Sequence, residues 1–207
     1  KKINGKTILE YTIERLKKTR LSKNIIVATT KREEDQKILR MAKKMNCYIF
    51  AGSTNNVLNR YYKAASYYDV KNIVRVCSDS PLIDPKIINK VYLFYLKNNY
   101  DYVSNKIFPS YPIGMGVEIL NFQSLEKANK LTKNSYDKEH VTAYIYKNPK
   151  KFKIKNVGLK KKLLNYRIVL DYIEDFKLIS NIQKYFNKQR KDFTLKDIIK
   201  YINRNPI

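Results

Sequence analysis

Two acidic residues far apart in the chain, Asp79 and Asp171, each follow a short apolar run, 73–77 in one case and 166–170 in the other. A buried strand that ends on a carboxylate carries fixed negative charge to the rim of a sheet, where open α/β folds bind ligands. If two such strands approach one another, their carboxylates share one crevice. Two hard oxygen donors beside a polyphosphate are what a magnesium ion receives from protein, so the pair outlines a phosphoryl or nucleotidyl transfer site. The same residues suit a second role. Asp84 before Pro85 reads as a helix N-cap followed by proline at the first helical position, and Asp171 can cap the helix after it in the same way. Spacing alone leaves metal ligation and capping both open.

The elements that must position these carboxylates alternate along the chain. Thr7 and Glu10 have capping-box spacing, and Ile8, Leu9, Ile13 and Leu16 line one face, which predicts a helix over 7–18. A strand over 25–28 ends in Thr29-Thr30, and a second helix carries Ile38, Leu39, Met41, Ala42 and Met45. A strand over 48–50 precedes the Gly52-Ser53-Thr54 break and a helix bearing Val57, Leu58, Tyr61 and Ala65. The strand over 73–77 leads to the helix opened by Asp84-Pro85. Strands are expected over 100–104, 116–120, 152–157 and 166–170, with helices over 124–131, 139–146, 174–185 and 195–202. This alternation predicts an α/β fold, a single three-layer α/β/α domain with a mainly parallel mixed sheet.

A chain of 207 residues is long enough for one full-sized domain, burying roughly 70% of the surface its unfolded form exposes. No apolar run approaches the roughly 20 residues that cross a bilayer, and the charged start is not followed by a signal-peptide core. A soluble, cytoplasmic protein without a membrane partner is expected. Cys47 and Cys77 have apolar neighbours and no histidine nearby, so reduced, packed thiols are expected rather than a zinc site. The formal net charge of +25 raises the question of nucleic acid. The lysines are spread over every segment and accompany many Asn, Ile and Tyr residues, a pattern that argues against a nucleic-acid partner. Runs such as Lys160-Lys161-Lys162 fall at expected turns, where a solvated face explains them.

Several segments, in order, resemble the cytidylyltransferases of the spore coat polysaccharide biosynthesis family, relatives of the acylneuraminate and 3-deoxy-manno-octulosonate cytidylyltransferases. Asn4-Gly5-Lys6 with Leu9-Glu10-Tyr11 and Ile13-Glu14-Arg15-Leu16 is similar to the family's first helix, and Ile26-Val27-Ala28-Thr29-Thr30 to its second strand. Gly52-Ser53 with Val57-Leu58-Asn59-Arg60-Tyr61 resembles the segment that opens a helix there. Residues 75–85 resemble the central strand and its Gly-Asp-x-Pro-Leu-Ile-Asp-Pro signature. Asp101-Tyr102-Val103-Ser104-Asn105, the stretch from Tyr111-Pro112 to Glu118, Glu139-His140-Val141-Thr142, and Leu170-Asp171 with Glu174-Asp175-Phe176 complete the series.

The resemblance implies a nucleotide-diphosphosugar transferase fold and transfer of CMP from CTP to a sugar, in all expectation a sugar acid, for surface polysaccharide or glycoconjugate synthesis. It implies Mg2+ held by Asp79 and Asp171, nucleotide contacts from Arg60, Arg75 and Ser78, and acceptor contacts from Tyr111, Glu118, Glu139 and His140. For Arg60 and Arg75 a structural ion pair is an equal alternative. His140, the single histidine, is placed at a helix start. Alternation sets Glu118 opposite Val117 and Ile119, facing either the cleft or solvent. A homodimer is compatible with the resemblance. Glycosyltransferases of the same fold commonly carry Asp-x-Asp after the central strand, and Asp79-Ser80-Pro81 lacks the second carboxylate. A non-catalytic member of the family is the other alternative.

Three departures bear on specificity. Ser78 stands where the family has glycine before the aspartate, Ile113 where an acidic residue is often found, and Gly116 where another is common. Relatives also begin with a strand and an Arg-rich, Gly-containing loop that wraps the triphosphate. In such a fold that strand lies centrally, between the strand starting at Ile25 and the one starting at Ile73. The natural chain is therefore expected to be longer at its amino terminus, and the 207 residues alone are expected not to bind CTP.

Overall fold

The computed structural model describes residues 2–190 and 192–205. A hairpin of β1 (Lys2–Ile3) and β2 (Lys6–Thr7) turns on Asn4 and Gly5, both at positive φ. Thr7 caps α1 (Ile8–Leu16): its hydroxyl accepts from the Glu10 amide while the Glu10 carboxylate accepts from the Thr7 amide. The capping box thus forms where its spacing places it. β3 (Ile26–Thr30), α2 (Gln36–Lys44), β4 (Tyr48–Gly52), α3 (Val57–Tyr67) and β5 (Asn72–Arg75) follow in alternation. α4 (Pro85–Leu96) opens where the Asp84 carboxylate accepts from the Lys86 amide, with Pro85 at the first helical position. The rest comprises β6 (Tyr102–Ser104), β7 (Glu118–Asn121), α5 (Phe122–Leu131), α6 (Ser135–Glu139), α7 (Ala143–Tyr146), β8 (Ile154–Asn156), α8 (Ile173–Lys188) and α9 (Leu195–Arg204).

β3 and β4 pair in parallel, and β5, β7, β6 and β8 form a four-stranded sheet in that order. β6 and β8 are parallel, whereas β7 runs antiparallel to both β5 and β6. Alternate residues of the central strands feed two cores. Val103 and Ile119 pack with Ile88 and Val91 of α4 and Ile182 of α8, while Tyr102 and Leu120 pack with Leu58 of α3 and Leu125 of α5. Successive side chains of a strand point to opposite faces, so helices cover the sheet on both sides.

Two expected elements are corrected. The run 166–170 forms no strand, only an isolated bridge between Ile113 and Arg167. Its Ile168 and Leu170 amides donate to Ile113 O and Asp79 O on two different loops, and Ile168 and Val169 are buried, so packing rather than a ladder explains its apolar character. The helix expected over 139–146 is broken. α6 ends at Glu139, His140 is its C-cap, and Val141 sits at φ 56 before α7 starts.

Among the described residues β3 and β5 each keep one unpaired edge, and between those edges lies a cavity of about 550 Å3. Tyr48 N donates to Ile25 O on the β4 side, so Ile26 and Ala28 turn their backbone groups the other way. Phe122 N donates to Lys71 O on the β7 side, so Asn72 and Val74 do the same on β5. All four residues line the cavity, roofed and floored by side chains such as Ala64 of α3 and Ile88 of α4. The space runs inside the layers along the strands, and neither Asp79 nor Asp171 is among its walls.

Candidate active site

The segment after β5 leaves the sheet through Val76 and Cys77 into a turn that carries Ser78 and Asp79. Its path is held from two sides. Ser78 O accepts from the Thr12 hydroxyl of α1 at 3.2 Å, and Asp79 O accepts from the Leu170 amide at 2.9 Å. The second bond sets Asp79 beside the residue preceding Asp171, so a tertiary contact joins the two sequence-distant segments that carry them. The Asp79 carboxylate accepts from the Ser80 hydroxyl at 2.9 Å. Asp171 is exposed and pairs with Arg167 at 2.5 Å, and Arg167 also reaches Asp175 at 3.0 Å.

Asp171 does not cap α8. That task falls to Asp175, whose carboxylate accepts from the Asp171 and Tyr172 amides, both at 2.9 Å. Burial opposes the charge on Asp175, but Arg167 and the two amides outweigh it and hold its carboxyl below the ordinary range. The capping alternative for Asp171 is thereby removed, and its carboxylate is left at the surface. Among the described residues no three His, Cys, Asp or Glu side chains cluster as a metal cage. Two carboxylates still match magnesium, which keeps waters and substrate phosphates as its remaining ligands.

On the β4 side of the rim, Arg60 donates to Ser53 O at 2.6 Å, and Gly52 lies under its stem, where a Cβ would come within 2.9 Å of Arg60 Cγ. Burial lowers its pKa, and its Nε is buried without a partner among the described residues. Arg75 is different. Its guanidinium forms a close ion pair with Glu118 across the β5–β7 ladder. The structural role left open for Arg75 is present here, whereas for Arg60 no carboxylate is in pairing range among the described residues.

Glu118 faces neither solvent nor an open cleft, because the chain on both sides covers it. The residue is 3% exposed, and its carboxylate accepts from Tyr102 OH at 2.8 Å and Thr142 Oγ1 at 2.5 Å besides pairing with Arg75. Burial opposes its charge, yet Arg75, Lys106 and the two hydroxyls keep the carboxyl below its ordinary value. Burial and the nearby carboxylate together push the Tyr102 phenol well up. The bond to Thr142 fixes the turn in which Val141, fully buried and β-branched, holds a left-handed conformation that costs roughly 1–2 kcal/mol. Strain of this kind persists where surroundings over-determine it. The turn presents Glu139 and His140 outward, both exposed, with the His140 ring 4.2 Å from that of Tyr136. Tyr111 is 7% exposed and belongs to the core.

A family model described as cytidylyltransferase matches residues 1–200. The chain belongs to the cytidylyltransferase family. Such an enzyme is a CTP-using nucleotidyltransferase. This cytidylyltransferase is 39% identical to an uncharacterized protein of Methanocaldococcus jannaschii over 207 residues, 99% of this chain and 83% of that one. It is 25% identical to the spore coat polysaccharide biosynthesis protein SpsF of Bacillus subtilis, over 88% of this chain and 76% of the other. A solved cytidylyltransferase from Leptospira borgpetersenii superposes with a TM-score of 0.93 at 32% identity, covering 99% of this chain and 86% of that one. CMP:2-keto-3-deoxy-manno-octonic acid synthetase, solved with CTP, shares the fold at a TM-score of 0.66 and 8% identity, covering 89% and 90%.

Three residues of this cytidylyltransferase's site were not singled out from the sequence for these roles: Tyr102, Thr142 and Lys106. The Lys106 ammonium stands 3.5 Å from Glu118 and is half exposed. Tyr102 and Thr142 fall inside segments that carry the family resemblance, but nothing local marks their hydroxyls as partners of a carboxylate in another strand. Among the described residues no helix is long and apolar enough to cross a membrane.

Proposed function

We propose that the enzyme transfers CMP from CTP to a sugar acid, with pyrophosphate leaving, in surface polysaccharide or glycoconjugate synthesis. The observation that supports this reading is the Leu170–Asp79 backbone bond, which joins the turn bearing Asp79 to the segment bearing Asp171. In the proposal both carboxylates hold Mg2+, which neutralises charge on the phosphates when bound. The chain's own contribution is positioning. Arg60, with no carboxylate in pairing range among the described residues, meets the nucleotide phosphates; the Ser78 backbone passes beside the nucleotide; and the turn bearing Glu139 and His140 orients the acceptor hydroxyl. The relatives support this reading, one by its role in spore coat polysaccharide synthesis and one by its CTP complex. CTP at 100 times its dissociation constant should add roughly 2.7 kcal/mol of stability, a rise of about 5–11 °C in Tm for a protein of this size. Thermal denaturation with CTP, UTP and GTP in magnesium tests this, and a rise that is equal for all three would contradict a cytidine site.

The same proposal makes the cavity between β3 and β5 a strand site, suited to an extended apolar segment. Facing backbone groups at Ile26, Ala28, Asn72 and Val74 offer a strand ladder on both sides of the cavity. The extra length of the relatives is room for such a segment. With the site filled, the amides of Ile26, Ala28 and Val74 are expected to exchange with solvent as slowly as those of β7. Hydrogen exchange by NMR on the natural protein measures this, and fast exchange at all three would show the edges unpaired.

A further inference from the structure

One cation at this site has more charge than its surroundings neutralise. The segment 104–106 is clamped to the strand entry at 115–117: Asn105 Nδ2 donates to Met115 O at 2.7 Å, Val117 N donates to Asn105 Oδ1 at 2.8 Å, and Ser104 Oγ donates to Val117 O at 2.9 Å. Ser104 Oγ in turn accepts from the Lys106 amide at 3.0 Å. Ser104 and Asn105 are buried, so the backbone from which Lys106 projects is held rigidly.

The Lys106 stem then lies across Gly116. A Cβ at position 116 would come within 2.6 Å of Lys106 Cδ and 3.1 Å of its Cγ, so the path exists only because that residue has no side chain. The ammonium ends 3.5 Å from Glu118, a carboxylate already paired closely with Arg75. Two cations therefore share one anion, and the outer one is half open to solvent. Glu118 also accepts from Thr142, two residues after His140, so Lys106 and the His140 turn meet at one carboxylate.

We infer that Lys106, in the channel left by Gly116, is a specificity-determining residue that contacts the carboxylate of the acceptor. The inference rests on the transferase reading above and assigns to one side chain the selection of acidic over neutral sugars. A charge-assisted hydrogen bond from a pre-positioned ammonium suffices for discrimination of about tenfold to a hundredfold.

The test compares the best acceptor from a panel of 2-keto-3-deoxy sugar acids with its own methyl ester, which keeps the shape and removes the charge. Wild type should favour the acid by about tenfold to a hundredfold in kcat/KM, Lys106→Met should bring acid and ester to the same value, and the KM for CTP should not move. Gly116→Ala, which displaces the stem without removing the charge, should reduce the preference in the same direction, and Lys106→Met/Gly116→Ala should lose no more than Lys106→Met alone. Retention of the acid preference in Lys106→Met overturns the assignment. So does an equal loss on acid and ester, and a rise in the KM for CTP would place the ammonium on the triphosphate instead. A wild type that releases pyrophosphate from CTP with no acceptor at all overturns the transferase reading itself, and the assignment with it.

Discussion

Asp79→Asn is expected to slow pyrophosphate release from CTP by about a thousandfold, and Asp171→Asn to do the same, with the fold intact in both. A divalent cation contributes several kcal/mol of charge stabilisation in transfers of this kind, and each 1.36 kcal/mol is a factor of ten in rate. The two carboxylates carry little of the fold's stability. Asp79 receives one side-chain hydrogen bond, from Ser80, and Asp171 sits at the surface, paired with Arg167 where solvent screens the interaction. Circular dichroism and melting of both variants should therefore match wild type while turnover collapses. Unimpaired turnover in both would remove the proposed metal site, and loss in only one would reduce it to a single carboxylate.

The second large effect belongs to stability. Glu118→Ala should cost about 3–5 kcal/mol, because it leaves the Arg75 guanidinium, 12% exposed, without its counter-charge and orphans the Tyr102 and Thr142 hydroxyls. Against a domain stability of about 5–15 kcal/mol this is a large share, readable as a drop of at least about 1 M in the urea midpoint. Replacing both partners with apolar residues, Arg75→Met with Glu118→Met, should recover the part of the loss that comes from the uncompensated charge, while the two orphaned hydroxyls keep their cost. The same carboxylate sets a pH dependence. Its folded pKa lies below the ordinary 4.5, so the stabilisation is fully present above that value and is lost as pH falls through the lower folded value. Urea titrations from pH 7 to pH 3 should show this loss in wild type and not in the double variant. Equal slopes would mean that other carboxylates carry the acid sensitivity.

Signals carried by a few consecutive residues were legible. Thr7 with Glu10, and Asp84 with Pro85, mark helix starts because capping satisfies backbone amides within one turn, and both form as the spacing requires. The apolar runs 25–28 and 73–77 locate strands whose ends are shifted by a few residues. The run 166–170 misleads because burial against two loops selects the same apolar residues as a strand does.

The break at Val141 was not legible for a related reason. A valine in the left-handed region is held there by tertiary contacts, and no local preference announces it. Alternation placed Glu118 on the face opposite Val117 and Ile119, and that is where it lies, but alternation does not say whether the face is covered. Coverage comes from Tyr102 on a neighbouring strand and Thr142 on a distant turn.

The sequence by itself determined the alternating α/β order, the capped helix starts, the family and the two acidic residues worth testing. These follow from contacts within one turn of helix or one stretch of strand, and from motifs read in order. Only the tertiary structure decided that the segments bearing Asp79 and Asp171 are joined, that Arg75 is committed to Glu118 while Arg60 is not so committed, and that Gly116 opens a path for Lys106. Each of these depends on which segment covers which, and burial and charge compensation are set by side chains contributed from across the fold.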